Sequence, residues 1–83
     1  LEVQLERCFH NISATLAAAG GTFANVARLT IYVRNYSFEQ LSIIRTVRDR
    51  WVNKDLPPAS ALIGVADLFV PEVLVEVDAV AAI

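Results

Sequence analysis

Residues 73–82 constrain the fold of this chain more than any other stretch. Val73, Val75, Val77, Ala79 and Ala81 alternate with Leu74, Glu76, Asp78, Val80 and Ala82, the period-two pattern of a β-strand. Neither face of that strand is wholly polar. A sheet covered by helices on one side ordinarily turns polar residues to the other. Here Leu74 and Val80 occupy the second face, and Leu62 of the preceding strand is expected beside them. Each such side chain contributes roughly 1.5–3 kcal/mol when buried. Something beyond the chain's own helices should therefore cover that face, and sheet packing between copies is the simplest cover.

Size points the same way. The chain has 83 residues, one small domain, and a fold of this size hides only about 60–65% of its unfolded surface. Such domains commonly rely on a staple or a partner. Cys8 is the only cysteine and His10 the only histidine. That excludes an internal disulfide and argues against a zinc site; no metal or cofactor is expected. Hydrophobic residues make up 55% of the chain and charged ones 19%, against roughly 45–50% and ~25% in ordinary domains. The surplus either enriches a monomer core or lies in a subunit interface.

The remaining elements follow from periodicity. Over residues 2–19, Leu5, Cys8, Phe9, Ile12, Leu16 and Ala19 recur at helical spacing, and Gly20-Gly21 ends the helix. Thr22 to Asn25 is a connector. Residues 26–33 alternate as a strand, with Ala27, Leu29, Ile31 and Val33 on one face and Val26, Arg28, Thr30 and Tyr32 on the other. Ser37 and Gln40 fit a capping box, with Tyr36 and Leu41 as its staple. The helix that follows is expected over residues 38–53, with Leu41, Ile44, Val47 or Arg48, and Trp51 facing inward and Trp51 packed on the sheet. Pro57-Pro58 stops it. A second strand spans residues 59–66, and the third is residues 73–82. The order α-β-α-β-β predicts a two-layer α+β fold, a mixed sheet with both helices on one face. The first two strands should be parallel, and the last two, joined by a short connection, antiparallel neighbours.

Seven basic and nine acidic residues give a net charge of −2, a poor footprint for nucleic acid. No apolar run reaches the ~18 residues of a membrane span, so neither nucleic acid nor membrane is an expected partner. The lone cysteine favours a reducing, cytoplasmic setting.

Three motifs carry a family resemblance. The first helix closes on Leu-Ala-Ala-Ala-Gly-Gly-Thr and leads into the strand Val26 to Val33 with Arg34-Asn35. Pro58-Ala59-Ser60-Ala61 is similar to a Pro-Ala-Arg-Ser segment. Val75-Glu76-Val77-Asp78-Ala79-Val80-Ala81 is similar to an Ile-Glu-Ile-Glu-Ala-Ile-Ala strand. In this order and spacing they resemble the YjgF/RidA family of reactive-intermediate deaminases, also called endoribonuclease L-PSP-like. The resemblance implies a chorismate-mutase-like fold, a homotrimer, and small-molecule clefts between subunits. It covers essentially the whole chain. Two departures stand out. Family members usually begin with about forty further residues of strand, so the chain reads as N-terminally shortened. Ser60 stands where family deaminases carry an arginine that clamps the substrate carboxylate, and Leu62 where a cysteine is common.

The resemblance places Ser60 and Leu62 on a strand face lining the cleft and gives Glu76 the role of positioning a water, a general base if burial raised its pKa. A structural bond from Glu76 to a neighbouring subunit is the competing reading. Arg28, with Tyr32 on the same face, is a substitute for the absent guanidinium, or else half of a structural ion pair. His10 reads as surface and Cys8 as core. Gly20-Gly21-Thr22 lacks the lysine and the strand-before-helix context of a phosphate loop. Three functions remain. One is a RidA-like enamine or imine deaminase or hydrolase whose classical activity is altered or absent because of Ser60. Another is a non-catalytic trimer binding a metabolite or protein. The third, an endoribonuclease, is disfavoured by the acidic balance.

Overall fold

A computed structural model describes residues 1–83. Helix α1 runs Glu2–Ala18, strand β1 Val26–Arg34, helix α2 Leu41–Asp49, strand β2 Ala59–Val65 and strand β3 Val75–Ala81. Leu5, Phe9 and Leu16 are the buried stripe of α1. Gly20 takes the left-handed conformation at φ 85°, which glycine adopts without a Cβ penalty. Ala19 is exposed rather than inward, because the helix has already ended there. A 3-10 turn at Phe23–Asn25 then enters β1, with Thr22 Oγ1 accepting from the Ala24 N–H and Asn25 Oδ1 from the Thr22 N–H.

The capping box at Ser37 forms: Gln40 Oε1 accepts from the Ser37 N–H at 3.0 Å. Its first turn, Phe38–Gln40, is 3-10, and the α-helix proper is shorter than the sequence suggests, ending at Asp49. Trp51 packs against the core. It stacks on Phe9 at 6.4 Å and lies 6.0 Å from Phe23, and its indole N–H donates to Glu6 Oε1, the polar handle of a half-buried indole finding a carboxylate on α1.

The sheet order is β2-β1-β3, with β1 and β2 parallel and β1 and β3 antiparallel. This corrects the expectation that β2 and β3 are neighbours. The chain between them passes the end of β1 and returns on its other side. Arg34 holds that passage: Nε donates to Val73 O, Nη2 to Val70 O and Nη1 to Asp67 Oδ1. Gln4 fastens it to α1, its side chain bonding Glu72 O and the Leu74 N–H.

Leu29, Ile31 and Val33 of β1 face the helices and form the core with Leu5, Phe9, Leu16, Ile44, Val47 and Val75. A register shift between Val26 and Arg28 reverses the expected facing at the start of β1. Val26 joins the core at 6% exposure while Ala27 is exposed, because the extra residue of a bulge flips all that precedes it. No helix is long and apolar enough to cross a membrane.

Candidate functional site

The register of β1 decides which chemical groups meet. Arg28 lies between Ala59 and Val80, Thr30 between Ala61 and Asp78, and Tyr32 between Ile63 and Glu76. These three rows form the sheet face opposite the helices, since the residues between them are core. Thr30 is nonetheless only 3% exposed, sheltered by the side chains around it. Tyr32 Oη donates to Asp78 Oδ2 at 3.1 Å. That bond, then burial, holds the phenol in its neutral form and raises its pKa. Arg28 belongs to none of the four ion pairs of the chain. Glu76 is exposed, and its charge, after burial, pushes the Cys8 thiol upward. Ile63, Val80 and Leu74 add exposed apolar surface around this polar centre.

Ser60 and Leu62 point the other way. They pair with Leu29 and Ile31, whose side chains are core. Ser60, Leu62 and Gly64 do share a face, as expected, but it is the helix face. Leu62 is therefore corrected: it packs against the core beneath the helices rather than beside Leu74 and Val80. Ser60 is exposed because β2 is an edge strand and α2 ends short of it. It borders a shallow depression of about 240 Å³ with Arg28, Thr30, Tyr32, Ala61 and Ile63. It also borders a recess of about 330 Å³ with Arg48, Asp49, Lys54, Pro57 and Pro58. Arg28, Tyr32 and Glu76 are thus brought together on one face, and Ser60 meets Arg28 only around the sheet edge.

Sequence reasoning passed over Arg48, Asp49 and Lys54. The available signal was the ambiguity of Val47 and Arg48 on the inner stripe of α2: Val47 takes the core, and Arg48 is turned toward the end of the helix beside Ser60. No cluster of three or more His, Cys, Asp or Glu is placed to hold a metal ion.

A protein-family model described as endoribonuclease L-PSP matches residues 1–83. No curated protein matches the chain. Among solved structures, a member of the conserved Rid family, YyfB of Yersinia pestis, is 33% identical with a TM-score of 0.87, over 100% of this chain and 62% of that one. A YjgF/YER057c/UK114 family member from Mycobacterium tuberculosis is 28% identical with a TM-score of 0.83, over 95% and 64%. RidA from an Antarctic Psychrobacter is 26% identical with a TM-score of 0.86, over 100% and 64%. The chain spans less than two thirds of the length of each of these three.

Proposed function

Because the chain belongs to the YjgF/RidA (endoribonuclease L-PSP) family, we propose that it is a RidA-type protein acting on small enamines or imines in clefts between copies of itself. The classical activity toward amino-acid-derived substrates is altered, since Ser60 brings no charge to the position of the clamping arginine. The supporting observation is the placement of Arg28, Tyr32, Glu76 and Asp78 together on a sheet face that no element of the chain covers. Such a face, with Ile63, Val80 and Leu74 exposed among them, gains its shelter from a neighbour. A homotrimer fits this need, and a reducing, cytoplasmic setting agrees with the single cysteine.

The chemistry asked of the site is hydrolysis without electron transfer. A water oxygen adds to the imine carbon, the carbon–nitrogen bond breaks, and a carbonyl compound and ammonia leave. Glu76 passes one proton of the attacking water to the nitrogen as the carbinolamine forms, and then the hydroxyl proton as the carbon–nitrogen bond breaks, so that the nitrogen leaves as ammonia. The acidic balance of the chain argues against RNA as the substrate.

Ammonia release from an oxidase-generated imine, measured with the chain and with Glu76→Gln, tests the reading. Faster release than the uncatalysed rate, lost in the variant, is expected. A chain that sediments as a folded monomer and leaves the uncatalysed rate unchanged sinks the proposal.

A further inference from the structure

The open face of the sheet carries opposite charges at its two ends. Arg28 stands at one end, in the row with Ala59 and Val80, and Glu76 at the other, in the row with Tyr32 and Ile63. We propose that Arg28 of one copy pairs with Glu76 of a second copy, so that the counter-charge of each Glu76 arrives from across the interface. The inference rests on the reading of this face as a contact between copies, and it names the residue that the neighbour brings to the site.

The pair does not close within one chain. Four residues of β1 separate the two rows, about 13 Å along the strand, and the Thr30–Asp78 row lies between them. Accordingly neither residue joins any of the four ion pairs of the chain. The second carboxylate of the face is already matched, since Asp78 Oδ2 accepts from Tyr32 Oη at 3.1 Å. One cation and one carboxylate remain without a partner on this surface, and both are exposed. The other cations outside the ion pairs are elsewhere: Arg7 on α1, Arg45 on α2 and Lys54 after α2.

This arrangement constrains how two copies meet. With like ends together, Glu76 would face Glu76 and Arg28 would face Arg28, and both contacts would repel. With opposite ends together, each contact attracts. Ile63, Val80 and Leu74, exposed on the same face, supply apolar area for the contact to bury. The ion pair sets its orientation rather than its strength. A guanidinium can bond one carboxylate oxygen and leave the other free, so a paired Glu76 keeps an oxygen for water.

Sedimentation of the full chain over a range of concentrations, with circular dichroism checking that each variant is folded, tests this. The chain should assemble, and Arg28→Glu and Glu76→Arg should each lower the association constant by about tenfold or more. Combining both in one chain should recover most of the loss, because the pair is made again with its signs exchanged. Arg45→Glu, the same charge change on α2, should leave assembly alone. Arg28→Gln and Glu76→Gln form a milder cycle for the case in which a reversal unfolds the chain. Each should weaken assembly, and the double variant should be no weaker than the worse single one. Assembly indifferent to the single changes, losses that simply add, or a chain that is monomeric at every concentration overturns the inference. If the double reversal restores assembly but wild-type chain releases no ammonia from an oxidase-generated imine, the deaminase reading alone fails. If wild-type chain releases ammonia but the losses in assembly add, the pair alone fails.

Discussion

Tyr32 and Asp78 reach diagonally across two antiparallel strands, phenol to carboxylate at 3.1 Å, and close over the nearly buried Thr30. The bond belongs to the neutral phenol, so the folded-state pKa is raised, first by the hydrogen bond to Asp78 and then by burial. The sign follows from linkage. Its contribution to stability is fully present below the ordinary tyrosine value and is lost as pH rises through the raised one. Asp78→Asn in a Tyr36→Phe background should bring the tyrosinate absorbance transition down in pH. An unmoved transition would show that Asp78 is not its cause.

Arg34 should be among the least replaceable polar residues. Its side chain is 14% exposed and makes three hydrogen bonds, two of them to carbonyls. Arg34→Gln should cost about 2–3 kcal/mol in urea unfolding, because three hydrogen bonds from one largely buried guanidinium are lost together. Lysine should not rescue it, having no fork. Asp67→Asn should cost under about 1 kcal/mol, since the Asp67 side chain is 82% exposed.

Gly20 tests backbone strain apart from packing. It has φ 85° and nothing within 4 Å of the place a Cβ would occupy. Gly20→Ala should lose roughly 1–2 kcal/mol from the left-handed conformation alone, and Gly20→Asn distinctly less. Equal losses for the two would mean that the conformation is not the cause.

Cys8 should react slowly with maleimide near neutral pH, because burial, and then the charge of Glu76, raise its pKa against the main chain of Val77, which lowers it. Glu76→Gln should quicken the reaction only modestly, as burial remains. A large acceleration would reverse that ranking, and a wild-type rate equal to a free thiol's would refute both causes.

The helices and strands were legible because their signals are local. Leu5, Phe9 and Leu16 repeat at helical spacing, and Ser37 and Gln40 close their box wherever the helix lies. Strand adjacency was not, because it depends on which edge of β1 receives β3, a choice made by Arg34 and Gln4 across long sequence separations. The facing of Val26 was lost for a related reason: a bulge adds one residue and leaves no mark in the alternation. The site suffered most. Ser60 and Glu76 each lie in recognisable motifs, but whether they share a face is a matter of register, and the register separates them.

The grip of Arg34 on the segment between β2 and β3 is mostly a grip on main-chain oxygens, those of Val70 and Val73. Carbonyls are the same whatever side chain they carry. The path of this segment is consequently indifferent to most of its own letters, and Phe69, at 88% exposure, can be exchanged without disturbing the route. It is the place where this small scaffold would accept foreign sequence, or diversify between relatives, while the strands on either side kept their alignment.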